Sequence, residues 1–292
     1  MGGQHIGLIT SFWLRTAVVK CNIRKIKRKM VMADVQSFSE TDNQSHARVR
    51  RDLERSLSSE AWSIQLKVAL ACRKLAADGH ALTLAGQVTV RHDADTYWTS
   101  SIRGGFANAV QSSVVRFNDT METVEGDGIP NPGVQFHLWI YRKRPEIRSI
   151  VHTHSPYASA LSMTGQPLEA AHMDSAMFYD DCAYLAEWPG VPIADDEGRI
   201  ICEALGGKRS ILLSNHGFLT TGKSLEEATY LAVLFENAAR LQLLAQSVGN
   251  IQAIEKDAAK EAHDFLLHTP IVNGTFNSWA YELLRNNPEI TS

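Results

Sequence analysis

The stretch Ile147 to Val151 runs into His152-Thr153-His154, and this segment constrains the fold more than any other in the 292-residue chain. A short apolar stretch that ends in polar, turn-like residues reads as a buried strand. Side chains alternate across a strand, so His152 and His154 leave it on the same face. Two imidazoles on one face can hold one divalent cation. A third histidine, His216, follows the apolar run Ser210 to Leu213 in Ser214-Asn215-His216-Gly217. Three neutral imidazoles converging from two strand ends would make an open metal site, with room for water or substrate. The competing reading is chance. Eleven histidines are present, and a short motif gains meaning only from its context. Here both segments end apolar runs, where α/β folds place their sites.

The periodicity predicts the rest of the organisation. Arg48 to Ala77 reads as one helix, with Leu53, Leu57, Ile64, Val68 and Leu75 on one face and Asp78-Gly79 as the stop. Gln87 to Arg91 and Tyr97 to Thr99 read as a hairpin around His92 to Asp95, and Val114 to Phe117 as another strand. A helix is expected from Asn131-Pro132 to about Arg144, a strand over Ile147 to His152, and a short helix over Pro156 to Met163. Ala176 to Ala186 reads as partly helical, Glu197 to Leu205 as helix and Ser210 to Ser214 as strand. Ser224 and Glu227 have capping-box spacing at the start of a long helix reaching Val248. Glu255 to Leu267 is a further helix, and the last 25 residues read as mixed. An α/β domain follows, with a central, mostly antiparallel sheet covered by helices.

Charge divides the chain in two. Residues 1–32 carry seven Lys and Arg and no acid; removing those 7 from the total of 29 leaves 22 basic against 32 acidic residues. The body is acidic, which gives no electrostatic case for nucleic acid. The basic segment reads as a targeting peptide, a nucleic-acid arm or an over-long translated start, with the last favoured. We therefore expect an extension over 1–45 and a catalytic domain over 46–292. No apolar run approaches the roughly 18 residues of a membrane span. Cys21, Cys72, Cys182 and Cys202 show no CxxC spacing, and the last three sit among apolar neighbours. Free buried thiols and a reducing cytoplasm are the expectation.

Several segments, taken in order, resemble the class II aldolase/adducin family over about residues 55–250. They are Leu84 to Arg91, Phe136 to Pro145, His152 to Ala158, Asn215-His216-Gly217 and Leu225 to Ala228. The resemblance implies the three-layer α/β fold of that family and a divalent metal on His152, His154 and His216. It implies a homo-oligomer, commonly a tetramer, with sites at subunit interfaces. Activities in the family include aldol cleavage, sugar-phosphate epimerisation and decarboxylation, and some adducin-like members are binding modules without turnover.

Departures from the family pattern narrow the expectation. Its aldolases place a catalytic Glu four residues before the histidine matching His137; here Gly133 stands there. Two small hydroxyl residues that serve a sugar phosphate are replaced by Asn131 and Pro132. The Thr-Pro-x-Gly phosphate loop reads Thr99-Ser100-Ser101-Ile102-Arg103. Arg103 offers a planar fork suited to a carboxylate, or is a solvated surface arginine. Ser101, Gln87 and Asn131 join it as expected substrate-binding residues. His172-Met173-Asp174 resembles the His-x-Asp segment of the epimerase branch, so Asp174 and His172 are candidates for the proton step; capping of a helix near Ser175 is the alternative for Asp174. His137 reads as a hydrogen-bonded core histidine, and His80, His92, His263 and His268 as solvated.

Loss of the aldolase Glu is tolerable for a decarboxylase, because no carbon-bound proton has to be removed. The pattern thus resembles the decarboxylase branch, which acts on hydroxy-aromatic dicarboxylates. Its implied substrate is 3-hydroxy-2-methylpyridine-4,5-dicarboxylate, from vitamin B6 degradation, and its implied metal Mn2+, with Zn2+ as the alternative. An aldolase or sugar-acid lyase of the same family, or a non-catalytic module, are the rival readings.

Overall fold

The helix expected over Arg48 to Ala77 is divided in the computed structural model, which describes residues 45, 47–55, 57, 60–188, 190 and 195–292. All but the last residue of the basic extension, Cys21 included, lies outside the described residues. In the first contact unit, Met1–Ser56, residues 47–55 are helical; the second, Leu57–Ser292, is the body. Its first helix, α1, is Ile64–Ala77. Ser63 is extended, and its hydroxyl accepts the Leu66 amide, so the helix begins there rather than running on from residue 55.

Eight strands follow: β1 Gln87–Arg91, β2 Thr96–Ser100, β3 Val114–Asn118, β4 Thr123–Glu125, β5 Ser149–Thr153, β6 Cys182–Leu185, β7 Ser210–Leu213 and β8 Gly217–Gly222. They form one sheet in the order β4-β3-β2-β1-β5-β8-β7-β6. Every neighbouring pair is antiparallel except β6 with β7. The mostly antiparallel sheet is therefore as expected. The helices between and after the strands are α2 Gln135–Lys143, α3 Pro156–Ser162, α4 Asp195–Leu205, α5 Leu225–Gln246, α6 Lys256–Leu266 and α7 Thr269–Asn286.

Alternation along the strands builds two cores, one on each face. Val88, Val90, Trp98, Val151, Leu212 and Phe218 pack with residues of α1, α3, α5 and α7. Tyr97, Phe117, Ile150, Ile211, Leu213 and Leu219 pack on the other face with residues of α2 and α4. The result is three layers. Packing dominates the helices: α5 buries Leu231 and Phe235, each worth about 1.5–3 kcal/mol, against about 1 kcal/mol for its Ser224 cap. Phe235 also stacks on Phe218 at 4.4 Å.

Two expectations are corrected. The segment Ala176 to Ala186, expected to be partly helical, keeps only the end of a 3-10 turn over Met173–Phe178 and then gives way to β6. Cys182 to Leu185 is drawn into strand by parallel pairing with Ser210 to Leu213. Most of the last 25 residues form the 18-residue α7, with Pro270 in its first turn and Val272, Phe276 and Ala280 buried at four-residue spacing, and a 3-10 turn over Pro288–Thr291 follows. Strands β4 and β8 carry no signal that the sequence reading used. Cys72, Cys182 and Cys202 are free thiols, with Cys182 half-buried. Among the described residues no helix is long and apolar enough to cross a membrane.

Candidate metal centre

Strand β5 places His152 on the face that also carries Ile150, opposite Gln87 of β1 and Leu219 of β8. His154 follows one residue beyond the strand end. His216 comes from the turn that joins β7 to β8, where Asn215 takes a left-handed φ of 53°. Asparagine tolerates that region better than most residues. The turn approaches β5 closely because residue 217 is glycine. A Cβ there would collide with the Thr153 carbonyl and lie 2.9 Å from His154 Cδ2. Sequence and tertiary contact thus act together to bring the three rings within 4.6 to 4.9 Å, centroid to centroid.

Their chemistry suits a cation. The Nε2 atoms of His152 and His154 are 3.0 Å apart, and one ligand nitrogen from each of the three residues lies within 4.8 Å of the others. His152 Nδ1 is 2.7 Å from the Phe218 carbonyl. A carbonyl only accepts, so Nδ1 carries the proton and Nε2 keeps its lone pair. His216 Nδ1 is buried without a hydrogen-bond partner. Burial holds all three imidazoles neutral. It lowers His152 well below 6.5, with the neighbouring His216 and His154 adding to the effect. It lowers His154 as well, and takes His216 to about 4, again with help from His154. Three neutral imidazoles with their lone pairs unspent are the donor set of an open divalent site.

The triad faces a cavity of about 370 Å³. Phe136 meets His152 edge-on at 5.1 Å, and the half-exposed Trp188 also lines the cavity. Among the described lining residues none is Asp or Glu. Gly133 lines the cavity, and a Cβ there would fall 2.5 Å from Gln87 Nε2. The Gln87 amide thus occupies the space into which a side chain from 133 would grow.

The other expected residues are distributed unequally. Gln87 and Asn131 line the cavity beside the triad. Gln87 donates to the Ala85 carbonyl at 2.6 Å, and its Oε1 is buried without a partner. Asn131 is engaged at both ends, donating to Leu84 O at 2.6 Å and accepting Gly133 N at 2.9 Å. Ser101 is buried in a narrow adjoining cleft, where it caps a 3-10 turn. Arg103 is exposed and lines neither space. His172 lines a separate cavity against α5, and neither it nor Asp174 lines the triad cavity. His172 Nδ1 instead accepts the Asp174 amide at 3.1 Å.

His137 is the core histidine expected, with Nδ1 2.9 Å from Thr89 Oγ1. Three others are corrected. His80 is buried, 3.0 Å from Thr153 Oγ1, and burial pulls it down to about 3, with Lys74 nearby adding to this. His263 is half-buried between Asp181 and Asp264, and His268 is half-buried at the start of α7. Each sits on a helix or helix end whose packing the sequence did not disclose. Phe136 and Trp188 were not picked out as wall residues, because an aromatic in a helix or loop reads as core or surface until the neighbouring strand is placed.

Comparison with known proteins adds an independent line. Residues 66–243 match the class II aldolase and adducin N-terminal domain. Decarboxylase NovR of Streptomyces niveus is 33% identical over 181 residues, covering 61% of this chain and 67% of that protein. The 4-hydroxy-3-prenylphenylpyruvate oxygenase/4-hydroxy-3-prenylbenzoate synthase of Streptomyces roseochromogenus subsp. oscitans is 32% identical, over 61% of this chain and 65% of its own. The chain therefore spans about two thirds of the length of these relatives. Among solved structures, the L-fuculose 1-phosphate aldolase of Glaciozyma antarctica PI12 superposes with a TM-score of 0.71 at 28% identity, covering 78% of this chain and 92% of that one.

Proposed function

The chain belongs to the class II aldolase and adducin family, and from that premise we propose that it is a divalent-metal-dependent decarboxylase of a hydroxy-aromatic acid. One observation carries the reading. A three-histidine centre opens on a cavity walled by Phe136 and Trp188, and none of its described lining residues is a carboxylate. Such walls suit a flat ring. An aldolase needs an acid/base where Gly133 stands, and the Gln87 amide crowds that position.

His152, His154 and His216 would hold the metal, Mn2+ in this proposal with Zn2+ as the alternative. When bound, the metal would supply the Lewis acidity that the loss of CO2 from a hydroxy acid calls for. The remaining work belongs to the chain. Phe136 and Trp188 hold the ring and keep water from it. Gln87 and Asn131 shape the rim on the β1 side. Positioning of this kind can lower a barrier by up to about 7–11 kcal/mol. Asp174 and His172 would return the proton to the ring carbon. They lie outside the triad cavity of their own chain, so in this proposal they serve the centre of another subunit in a homotetramer.

The specific substrate proposed is 3-hydroxy-2-methylpyridine-4,5-dicarboxylate, which has the required hydroxyl, carboxylate and flat ring. The similarity to a prenylphenylpyruvate oxygenase/synthase supports a second substrate class, aromatic 2-oxo acids. The aldolase superposition supports sugar-phosphate cleavage as the rival reaction. One panel separates them. Purified, Mn2+-loaded protein is assayed for CO2 release from hydroxy-aromatic dicarboxylates and aryl 2-oxo acids, and for retro-aldol cleavage of sugar phosphates. CO2 from a dicarboxylate is the expected result. Cleavage of a sugar phosphate without any CO2 release would overturn the decarboxylase reading.

A further inference from the structure

Helix α3 lies between the two turns that deliver the ligands. Its first flanking residue, Ser155, directly follows His154. At its other end the Ser162 carbonyl accepts the amide of Asn215 at 3.1 Å, one residue before His216. Seven residues of helix therefore span from the His154 side of the centre to the His216 side. A shift of α3 would move one ligand relative to the other.

The start of α3 is held from a distance. Ser155 makes no side-chain cap. Instead Glu236, near the middle of α5, turns its carboxylate onto the first turn. Oε2 accepts Ser155 Oγ at 2.5 Å and Ala158 N at 2.8 Å, and Oε1 accepts Tyr157 N at 2.8 Å. The residue is 8% exposed. A local Ser, Thr or Asn would satisfy helix-start amides without burying a charge. A carboxylate brought in from another helix does something a local cap cannot. It ties α3 to α5, which packs on the sheet carrying His152.

We propose that Glu236 is a positioning residue of the metal centre: by clamping α3 to α5 it sets the spacing between His154 and His216. The inference rests on the reading of the triad as a metal site, not on the reaction assigned to it. Groups that orient metal ligands typically change affinity by about 10–100-fold when removed.

The test uses Co2+ as probe, titrated into metal-stripped full-length protein and followed by its visible absorption. Glu236→Gln keeps the volume but loses acceptors. It is expected to weaken Co2+ binding by about 10–100-fold and to change the absorption bands. The control is Glu226→Gln, an equally buried carboxylate of α5 that pairs with Lys67 at 2.7 Å and touches neither ligand turn. It should lower the melting temperature of the metal-free protein yet leave Co2+ affinity and spectrum unchanged. Unchanged affinity and spectrum in Glu236→Gln would overturn the proposal. So would an equal loss in Glu226→Gln, since the effect would then be general destabilisation. Should Glu236→Gln not fold, Ser155→Ala removes one of the three bonds and is expected to weaken Co2+ binding severalfold; no change there overturns the proposal. A parent protein that takes up no Co2+ would sink the metal centre and this inference together. Uptake without CO2 release would sink only the reaction.

Discussion

His152 uses its two nitrogens differently, and that difference gives the sharpest test of the site. Nδ1 is spent on the Phe218 carbonyl, which leaves Nε2 facing His154 and His216. His152→Ala is expected to reduce metal content to background by elemental analysis and to abolish turnover. Stoichiometric metal with full activity in that variant would refute the assignment. Gly133 offers a subtler test. A Cβ there meets the far end of a flexible side chain, Gln87 Nε2 at 2.5 Å, so the fold can yield by moving the amide. Gly133→Ala is expected to keep its melting temperature and metal content while kcat/KM falls. A misplacement of about 1 Å can cost on the order of 100-fold, and a kcat/KM equal to the parent's would show that the Gln87 amide does not shape the reacting pose. The triad was legible because its spacing matches strand geometry. The role of Gln87 was only half legible, since its contest with position 133 arises between elements that are distant in sequence.

At the scale of elements, the hairpin β7–β8 decides how close His216 comes to its partners. Gly217 meets the Thr153 backbone, which cannot swing aside as a side chain would. Gly217→Ala is therefore expected to lower both the melting temperature and metal content, whereas Gly133→Ala should lower neither. Retention of full metal content in Gly217→Ala would show that the turn can shift without cost to the centre. The elements that the sequence revealed are those with a local cause. Helix α5 starts where expected because Ser224 accepts the Glu227 amide at 3.1 Å. Glu227 reaches back to the Lys223 amide, one residue before the usual capping-box partner. Strand β8 had no such cause. Its Gly-Phe-Leu-Thr-Thr-Gly carries no alternation of apolar and polar residues, yet lies buried between β5 and β7. There Thr220 satisfies its hydroxyl on the Ala228 carbonyl at 2.8 Å.

For the whole molecule, histidines outside the triad set opposite pH slopes. Burial takes His137 from 6.5 to about 3, and burial with Lys74 takes His80 to about 3. A folded value below the unfolded one means that the unfolded chain binds more protons. Stability should fall as pH drops below 6.5, by about 1.4 kcal/mol per pH unit for each fully buried group. His263 works the other way. Its hydrogen bond to Asp181, with a second to Asp264, raises it above 6.5 against the effect of burial. That contribution is complete below 6.5 and is lost as pH rises through the higher folded value. Urea unfolding across pH should show both slopes, and His263→Gln should flatten only the alkaline one. An unchanged alkaline slope would remove His263 as its source. The proposed sharing of sites between subunits is also tested at this scale. Mixing inactive His152→Ala and Asp174→Asn chains should restore some turnover, because a mixed oligomer combines an intact triad with an intact Asp174. No recovery after verified subunit exchange would refute the shared site. The sequence by itself determined what local physics can encode: strand and helix periods, the caps, the family resemblance and the three imidazoles that could hold a metal. Tertiary structure alone decided which residues wall the cavity and where His172 and Asp174 lie. It also decided that Cys182 to Leu185 becomes strand and that His80 and His263 are sheltered. Each of these depends on contacts between segments far apart in the chain, and no local spacing carries that information.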